Sequence, residues 1–313
     1  MQAQIINRFG GPEAFELTEV ETPPARAGEV RVRVAYAAVN PLEWKIRSGT
    51  LSPMIQTEFP AILGNEFSGI VDEVGAGVAQ FAVGDRVAGF APSGSYAEYV
   101  VTTSDRLSVV PERLSLERAA ALPTAAETAL RALALIDVQA GETVVVNAAA
   151  GSVGSAVVQL LVARGATVIG TGSEANHGYL RSLGAMPVRY GPHLTEDLAA
   201  AAPGGVDAAF DGGGRGFVDQ ILGLVPAQRI VTIIDFAAGA KGVQVAGGDP
   251  LALTAGAIGP VLQLAAEGRF ATEIDTVVSL AELAGAHLRS EEGHLRGKLL
   301  VRVAELEAEA VQA

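Results

Sequence analysis

The sequence predicts an α/β fold of two domains, one β-rich and one built on a doubly wound parallel sheet. Three observations lead there. Residues 1 to about 110 hold short β-prone runs punctuated by glycine and other turn formers. Residues 143–172 run as apolar strand, small-residue turn, apolar helix and second apolar strand. After about 260, helical segments lead to the strand KLLVRV (298–303), which could rejoin the first sheet. The expected boundaries are 1–118 for the β-rich domain, 119–260 for the doubly wound one, and 261–313 for the return to the first.

In the β-rich part, EVRVRVAYAAV (29–39) alternates charged and apolar residues at its start, the period of a half-buried strand. SGIVDEVGAGV (68–78), DRVAGF (85–90) and YAEYVVT (96–102) are further short strands, the last preceded by turn material at 92–95. Several such strands suggest a small barrel or sandwich. The texture changes near 115, where LSLERAAALPTAAETALRALALI (114–136) has helical spacing interrupted by Pro123. The runs 143–146 and 166–170 lack polar alternation, as strands of a parallel sheet covered on both faces do. VDAAFDGG (206–213) and QRIVTIID (228–235) continue the alternation of strand and helix, hence the doubly wound sheet. PVLQLAAEGRF (260–270) and 281–290 read as helices, and AELEAEAVQA as a solvated tail or frayed helix.

Composition bounds the function. Hydrophobic residues make up 49% of the 313, enough for a sizeable core, while 5% aromatics and 37 glycines favour close packing of helices on a sheet. A net charge of −13 argues against non-specific binding to nucleic acid or an anionic membrane. It leaves phosphate ligands open, because backbone N–H groups can hold them locally. The absence of cysteine removes thiol nucleophiles, iron–sulfur clusters and thiolate zinc sites. Polar residues interrupt positions 1–20, and Gln159, Arg164 and Gly165 break the longest apolar stretch. No signal peptide or membrane span is expected, and a soluble cytoplasmic protein is the default.

The turn Ala149-Ala150-Gly151-Ser152-Val153-Gly154 follows the first apolar strand and opens a helix. Against G-x-G-x-x-G, Ala149 replaces the first glycine and the other two are present. Small residues there let the backbone approach a pyrophosphate whose charge rests on the helix N-terminus. The alternative is a tight turn that binds nothing, or one that binds another adenine-containing ligand. At the end of the second strand, Thr171-Gly172-Ser173 stands where NAD selectivity needs an acid for the ribose 2′-OH. The two hydroxyls could donate to a 2′-phosphate, which favours NADPH over NADH. Glu174 and the lack of Lys or Arg before Arg181 count against it.

Six blocks together resemble the medium-chain dehydrogenase/reductase superfamily, in its zinc-free quinone oxidoreductase (zeta-crystallin-like) branch. They are AAVNPLEWKIRSG (37–49), FPAILGNEFSGIVDEVGAGVAQFAVGDRVAGF (59–90), GSYAEYVV (94–101), LPTAAETALRAL (122–133), VVVNAAAGSVGSAVVQL (144–160) and HLRGKLLV (294–301). The resemblance implies a GroES-like catalytic domain around a Rossmann NADP-binding domain, with the active site in a cleft between them. It also implies a homodimer, with QRIVTIID or KGVQVAG (241–247) as a candidate sheet edge. Zinc-dependent members have Gly-His-Glu where this chain has Gly64-Asn65-Glu66, and a cysteine where Asn40 stands. Only the carboxylate survives, so no zinc is expected.

Without a Lewis acid, oxidation of an alcohol lacks stabilisation of its alkoxide. Hydride addition to a quinone or an α,β-unsaturated carbonyl is easier, and hydrogen-bond donors can take up the developing charge. The resemblance places Asn40 near the nicotinamide ribose and reacting centre. It puts Lys45 where relatives have Tyr or Lys able to donate a proton or hydrogen bond; the alternative is a solvated strand-edge lysine. Glu66 is expected to fix local loops or pair with a nearby base. For the cofactor it implies Thr128 near the diphosphate or nicotinamide, and Gly151, Ser152, Val153 and Gly154 in the turn. Thr171, Ser173, Asn176 and Tyr190 would lie at the adenosine end, and Phe236, Ala237 and Ala238 at the nicotinamide edge. Gly297-Lys298 would close over the cofactor. The apolar loops 47–58 and 247–260 suggest a small hydrophobic quinone or enone substrate. Enoyl or 2-alkenal reduction, and a structural or regulatory protein that holds NADPH without turnover, are the rival readings.

Overall fold

Strand Glu29–Val39 is the hub of a seven-stranded sheet. Val30, Val32 and Val34 are fully buried while their charged neighbours reach the surface, so the alternation in the sequence sets which side faces the core. Antiparallel partners are Glu66–Val74, Tyr99–Thr103 and Lys298–Arg302. Arg86–Phe90 and Leu107–Val109 extend the sheet on one side, and Ile274–Ser279 on the other. A smaller three-stranded sheet joins Phe15–Glu19, Gln2–Ile6 and Ala61–Ile62. The computed structural model describes residues 1–247, 256 and 258–306. The chain divides into two units, Met1–Pro123 with Asp249–Ala313, and Thr124–Gly248. Most of the expected pocket loop 247–260, and the tail from 307, lie outside the described residues.

Register explains why three distant polar residues meet. Leu299 pairs with Val39 and Ala37 pairs with Phe67, both antiparallel. One step past Val39 and one step before Leu299 bring Asn40 opposite Lys298. Glu66 opens the neighbouring strand. Helix Pro41–Arg47 begins directly after Asn40, with Pro41 in the first turn, where a missing N–H costs nothing. Lys45 therefore sits on a short helix rather than at a strand edge.

In the second unit, six strands are ordered Met186–Arg189, Thr167–Gly172, Thr143–Asn147, Ala208–Asp211, Ile230–Thr232 and Gln244–Val245. Every pairing is parallel. By chain order within the unit this is 3-2-1-4-5-6, the doubly wound dinucleotide-binding arrangement. Its topological switch lies between Thr143–Asn147 and Ala208–Asp211, whose carboxyl ends bear Asn147 and Asp211. The helical stretch 114–136 is two helices, Leu116–Ala120 and Pro123–Ala134, with Pro123 opening the second. Among the described residues, no helix is long and apolar enough to cross a membrane.

Candidate active site

In the first unit, Asn40, Glu43, Glu66 and Lys298 form a buried polar cluster, none more than 7% exposed. The Lys298 Nζ donates to Asn40 Oδ1 at 2.6 Å and pairs with Glu66 Oε2 at 2.7 Å. Asn40 Nδ2 donates to Glu66 Oε2 at 3.1 Å and, more weakly, to Glu43 Oε1 at 3.4 Å. The Asn40 backbone N–H donates to Glu43 Oε2 at 2.8 Å, which ties the carboxyl to the start of its own helix. Burial raises the Glu43 pKa from 4.5 to about 7, against the pull of those N–H groups and of Lys298, and Glu66 adds to the rise. Glu43 is thus held partly protonated near neutrality. A cavity of about 20 Å³, room for one water, is lined by Leu42, Glu43, Ile46, Leu63, Asn65 and Pro92 among others. Asn65 is buried and among the described residues its Oδ1 has no hydrogen-bond partner, so such a water would satisfy it.

Behind the cluster, Tyr96 is fully buried and its hydroxyl lies 3.3 Å from His287 Nε2. Burial, then the carboxylates of Glu43 and Glu66, push the Tyr96 phenol well above its usual range. Burial, helped by Arg47, lowers the His287 pKa to about 3. Arg47, 1% exposed, pairs with Glu291.

In the second unit, the turn 148–151 is anchored from behind. Ala148 has a positive φ of 57°, its N–H donates to Thr171 Oγ1 at 3.2 Å, and the Ala149 N–H donates to the Thr171 carbonyl at 3.2 Å. Thr171 Oγ1 donates to Asn147 Oδ1 at 2.7 Å. Asn147 Nδ2 in turn donates to Asp211 Oδ1 at 2.8 Å. Asp211 also takes the N–H groups of Gly213 and Gly214, and the Thr232 hydroxyl at 2.9 Å. Thr232 Oγ1 accepts from the N–H groups of Ile234 and Asp235, which leads this chain of bonds to the loop before Phe236.

A Cβ at Gly154 would lie 2.2 Å from the Ala148 carbonyl oxygen, so the turn and helix Ser152–Ala163 close only over glycine. At Gly151 the same test gives 3.4 Å, an ordinary contact. Its absent side chain leaves room towards a ligand rather than within the fold. A tight turn, a first helical turn with unpaired N–H groups and a bare Gly151 together fit a pyrophosphate.

The sequence-predicted residues separate as follows. Asn40 and Lys298 are in direct contact. Lys45 is half-buried, with its Nζ 5.6 Å from the Trp44 ring centroid. Ser152 and Val153 are half-buried at the turn. Thr171 is fully buried and its hydroxyl is spent on the turn. Ser173 accepts from Asn176 Nδ2 at 3.2 Å, and both are part exposed. Tyr190 and Phe236 are 43% and 61% exposed, Ala237 is exposed, and Ala238 is buried. Among the described residues, Thr128 Oγ1 reaches Glu127, at 3.4 Å. Sequence reasoning missed Glu43, Asn147, Asp211 and Thr232. The signal was there for two of them: a polar residue closes each of the strands TVVVN and AAFD at the end where ligands bind in such sheets.

The residues at the zinc-ligand positions of the metal-dependent pattern do not fit that ion. Two are amides, and the one carboxylate is paired with a buried ammonium. Among the described residues, no group of three or more His, Cys, Asp or Glu is placed to hold a metal.

Comparison with known proteins places these features in context. Residues 26–112 match the family described as alcohol dehydrogenase GroES-like domain, and residues 183–301 match zinc-binding dehydrogenase. Quinone oxidoreductase of Rattus norvegicus is 36% identical over 218 residues, 67% of this chain and 66% of that protein. Trans-enoyl reductase himH of Aspergillus japonicus is 34% identical over 55% of each. The chain thus aligns with less than two thirds of the length of either relative. The solved quinone oxidoreductase of Coxiella burnetii superposes with a TM-score of 0.86 at 33% identity, covering 97% of this chain and 99% of that one.

Proposed function

The chain belongs to the medium-chain dehydrogenase/reductase superfamily, in its quinone oxidoreductase branch, and on that premise we propose an NADPH-dependent, metal-free reductase of quinones or α,β-unsaturated carbonyls. The single observation behind this reading is the Lys298 ammonium held between Asn40 Oδ1 and Glu66 Oε2. A fixed positive charge at the metal-ligand positions opposes entry of a divalent cation, and with it the stabilisation of an alkoxide. Reduction of a conjugated acceptor needs no such ion. NADPH, when bound, supplies the hydride, and the protein has to hold the pyrophosphate, orient the acceptor and deliver a proton.

The turn 148–154 is the proposed pyrophosphate site. Ser173, Asn176 and Tyr190 are the proposed contacts for the 2′-phosphate and adenine, in a segment without an acid at the ribose position. Lys45 is the proposed proton or hydrogen-bond donor to the acceptor oxygen. The edge strand Gln244–Val245 is the proposed homodimer seam, which light scattering coupled to size exclusion would read. Similarity to a trans-enoyl reductase supports enoyl double-bond reduction as the second reading.

The test is steady-state oxidation of NADPH and NADH against a panel of quinones and enones. Turnover of quinones with NADPH supports the first reading, and turnover confined to enones the second. Turnover with NADH alone reverses the cofactor assignment. Tight NADPH binding without turnover on any acceptor points to a non-catalytic holder. Lys45→Ala with intact cofactor affinity and unchanged kcat would remove Lys45 from the mechanism.

A further inference from the structure

The Asn40 amide lies between a buried ammonium on its oxygen side and carboxyl groups on its nitrogen side. Its Oδ1 faces the Lys298 ammonium at 2.6 Å. Its Nδ2 faces the carboxylate of Glu66 at 3.1 Å and the carboxyl of Glu43 at 3.4 Å. A flipped amide would point NH₂ at an ammonium and a carbonyl oxygen at two carboxyl groups, all buried. A proton on Glu43 could meet the flipped oxygen, but Lys298 has donors only and ionised Glu66 acceptors only, so the flipped amide would still face its NH₂ to the ammonium and its oxygen to the Glu66 carboxylate. The orientation is therefore set by fixed charges.

We propose that Lys298 is a positioning residue that locks the polarity of the Asn40 amide, so that Asn40 can only accept a hydrogen bond from a ligand beside it. Both Nδ2 hydrogens are committed, and the one capacity left is the second lone pair of Oδ1. Asn40 is 7% exposed, the most of the four residues in the cluster. The group recognised is then a hydroxyl donor, as on a ribose, and not a carbonyl or a developing enolate. Asn40 binds and orients the cofactor, and charge on the acceptor oxygen must be met by another donor. Lys298 acts on the ligand through Asn40, being only 2% exposed itself. The ligand assignment rests on the proposed function; the lock does not.

The experiment has two arms. The first compares NADPH with an analogue deoxygenated at the nicotinamide ribose, using any accepted quinone or enone. Wild type should lose about tenfold or more in kcat/KM with the analogue. Lys298→Met should lose a similar factor with NADPH, mainly through KM, and show no further loss with the analogue. Lys298→Arg should recover part of the discrimination. Because Lys298→Met strands the Glu66 charge, Lys298→Met/Glu66→Gln serves where the single variant does not fold. A folded variant of either kind that still discriminates as wild type overturns the proposal.

The second arm needs no turnover. The Asn40 side-chain NH₂, followed by ¹⁵N NMR with Asn40→Ala for assignment, should exchange with solvent far more slowly in wild type than in Lys298→Met/Glu66→Gln. Free-amide exchange in wild type overturns the lock whatever the activity. Slow exchange without any NADPH turnover keeps the lock and removes the proposed function instead.

Discussion

Asn147 and Asp211 stand opposite each other in the register of neighbouring parallel strands, and the Asn147 amide donates to Asp211 Oδ1 at 2.8 Å. The pair sits where the sheet's strand order reverses, the place at which open α/β sheets bind ligands. Asp211 is fully buried, and Asn147 is engaged at both its amide nitrogen and its oxygen. Asp211 gathers an amide, two backbone N–H groups and a hydroxyl, and Asn147 passes the constraint through Thr171 to the turn at Ala148. The network is a brace that holds the two loops flanking the switch point.

Removing the brace at its centre should cost stability. Asp211 is fully buried, so Asp211→Ala leaves several donors without an acceptor, at about 3 kcal/mol or more in total. Asp211→Asn retains one acceptor oxygen for Asn147, Gly213 and Gly214 and should cost about 1 kcal/mol. Urea unfolding at neutral pH distinguishes the two. Equal losses would mean that the carboxylate charge, rather than its acceptor geometry, matters.

The two glycines of the turn should respond differently. Gly154→Ala forces a Cβ to 2.2 Å from a backbone oxygen, so the turn must move. Both the melting temperature and NADPH affinity should fall, the affinity by about tenfold or more. Gly151→Ala meets nothing closer than 3.4 Å and should melt as wild type. Its NADPH affinity should drop all the same, because the new methyl occupies the approach of the pyrophosphate. Fluorescence titration with NADPH, beside thermal melts, reads both. A Gly151→Ala variant of undiminished affinity would place the phosphate elsewhere.

Glu43 makes the stability of the first unit depend on pH. Its pKa is about 7 when folded against an ordinary 4.5, so the folded state binds the extra proton between those values. Stability from this group is complete below pH 4.5, is lost as pH rises to about 7, and is flat above. The full loss is about 3 kcal/mol, from 1.36 kcal/mol per pKa unit. Glu43→Gln mimics the protonated form. It should therefore be more stable than wild type above pH 7, with the gain vanishing towards pH 4.5. Urea midpoints across that range test it, and a gain independent of pH would exclude the buried carboxyl as its source.

His287 has the opposite sign. Its pKa is depressed to about 3 when folded, against 6.5 when free, so the unfolded chain binds the extra proton between them. Its contribution is present above pH 6.5 and is lost as pH falls towards 3. His287 packs edge-on to Phe15 and Tyr96, at centroid distances of 4.6 and 5.6 Å, so His287→Phe retains an aromatic ring there. That variant should lose stability less steeply below pH 6.5 than wild type. Between pH 4.5 and 6.5 the effects of Glu43 and His287 oppose each other and nearly cancel in the wild type, so Glu43→Gln/His287→Phe should follow the wild-type slope there while each single variant departs from it in opposite directions.

How much of this the sequence disclosed follows from the range of the interactions. EVRVRVAYAAV showed its strand because alternation is local, and TVVVNAAAGSVG showed its turn because strand, glycine and helix follow within a dozen residues. The exclusion of thiolate zinc chemistry needed only residue identities. The partnership of Lys298 with Asn40 and Glu66 is different. It joins positions 258 residues apart and depends on antiparallel register, which local pattern does not encode. Glu43 drew no reading from the sequence, because burial by other strands is invisible from its neighbours. Thr171 was readable as a ligand donor, whereas its hydroxyl faces Asn147 on the adjacent strand. Strand pairing decided that, not strand sequence.

The cofactor assignment can be pressed at Ser173. This residue follows the strand Thr167–Gly172 directly, is part exposed, and accepts from the Asn176 amide at 3.2 Å. A carboxylate at the end of this strand would accept from a ribose diol and repel a 2′-phosphate. Ser173→Asp should therefore raise the KM for NADPH by about tenfold or more while leaving or improving that for NADH. Asn176→Arg should act the other way, since a guanidinium pairs with phosphate bidentately. The ratio of kcat/KM for the two cofactors, measured with one acceptor, decides the matter. If Ser173→Asp leaves the ratio unchanged, the 2′ position of the ribose does not meet this segment. Recognition of the phosphate would then have to come from the neighbouring strand end that bears Tyr190.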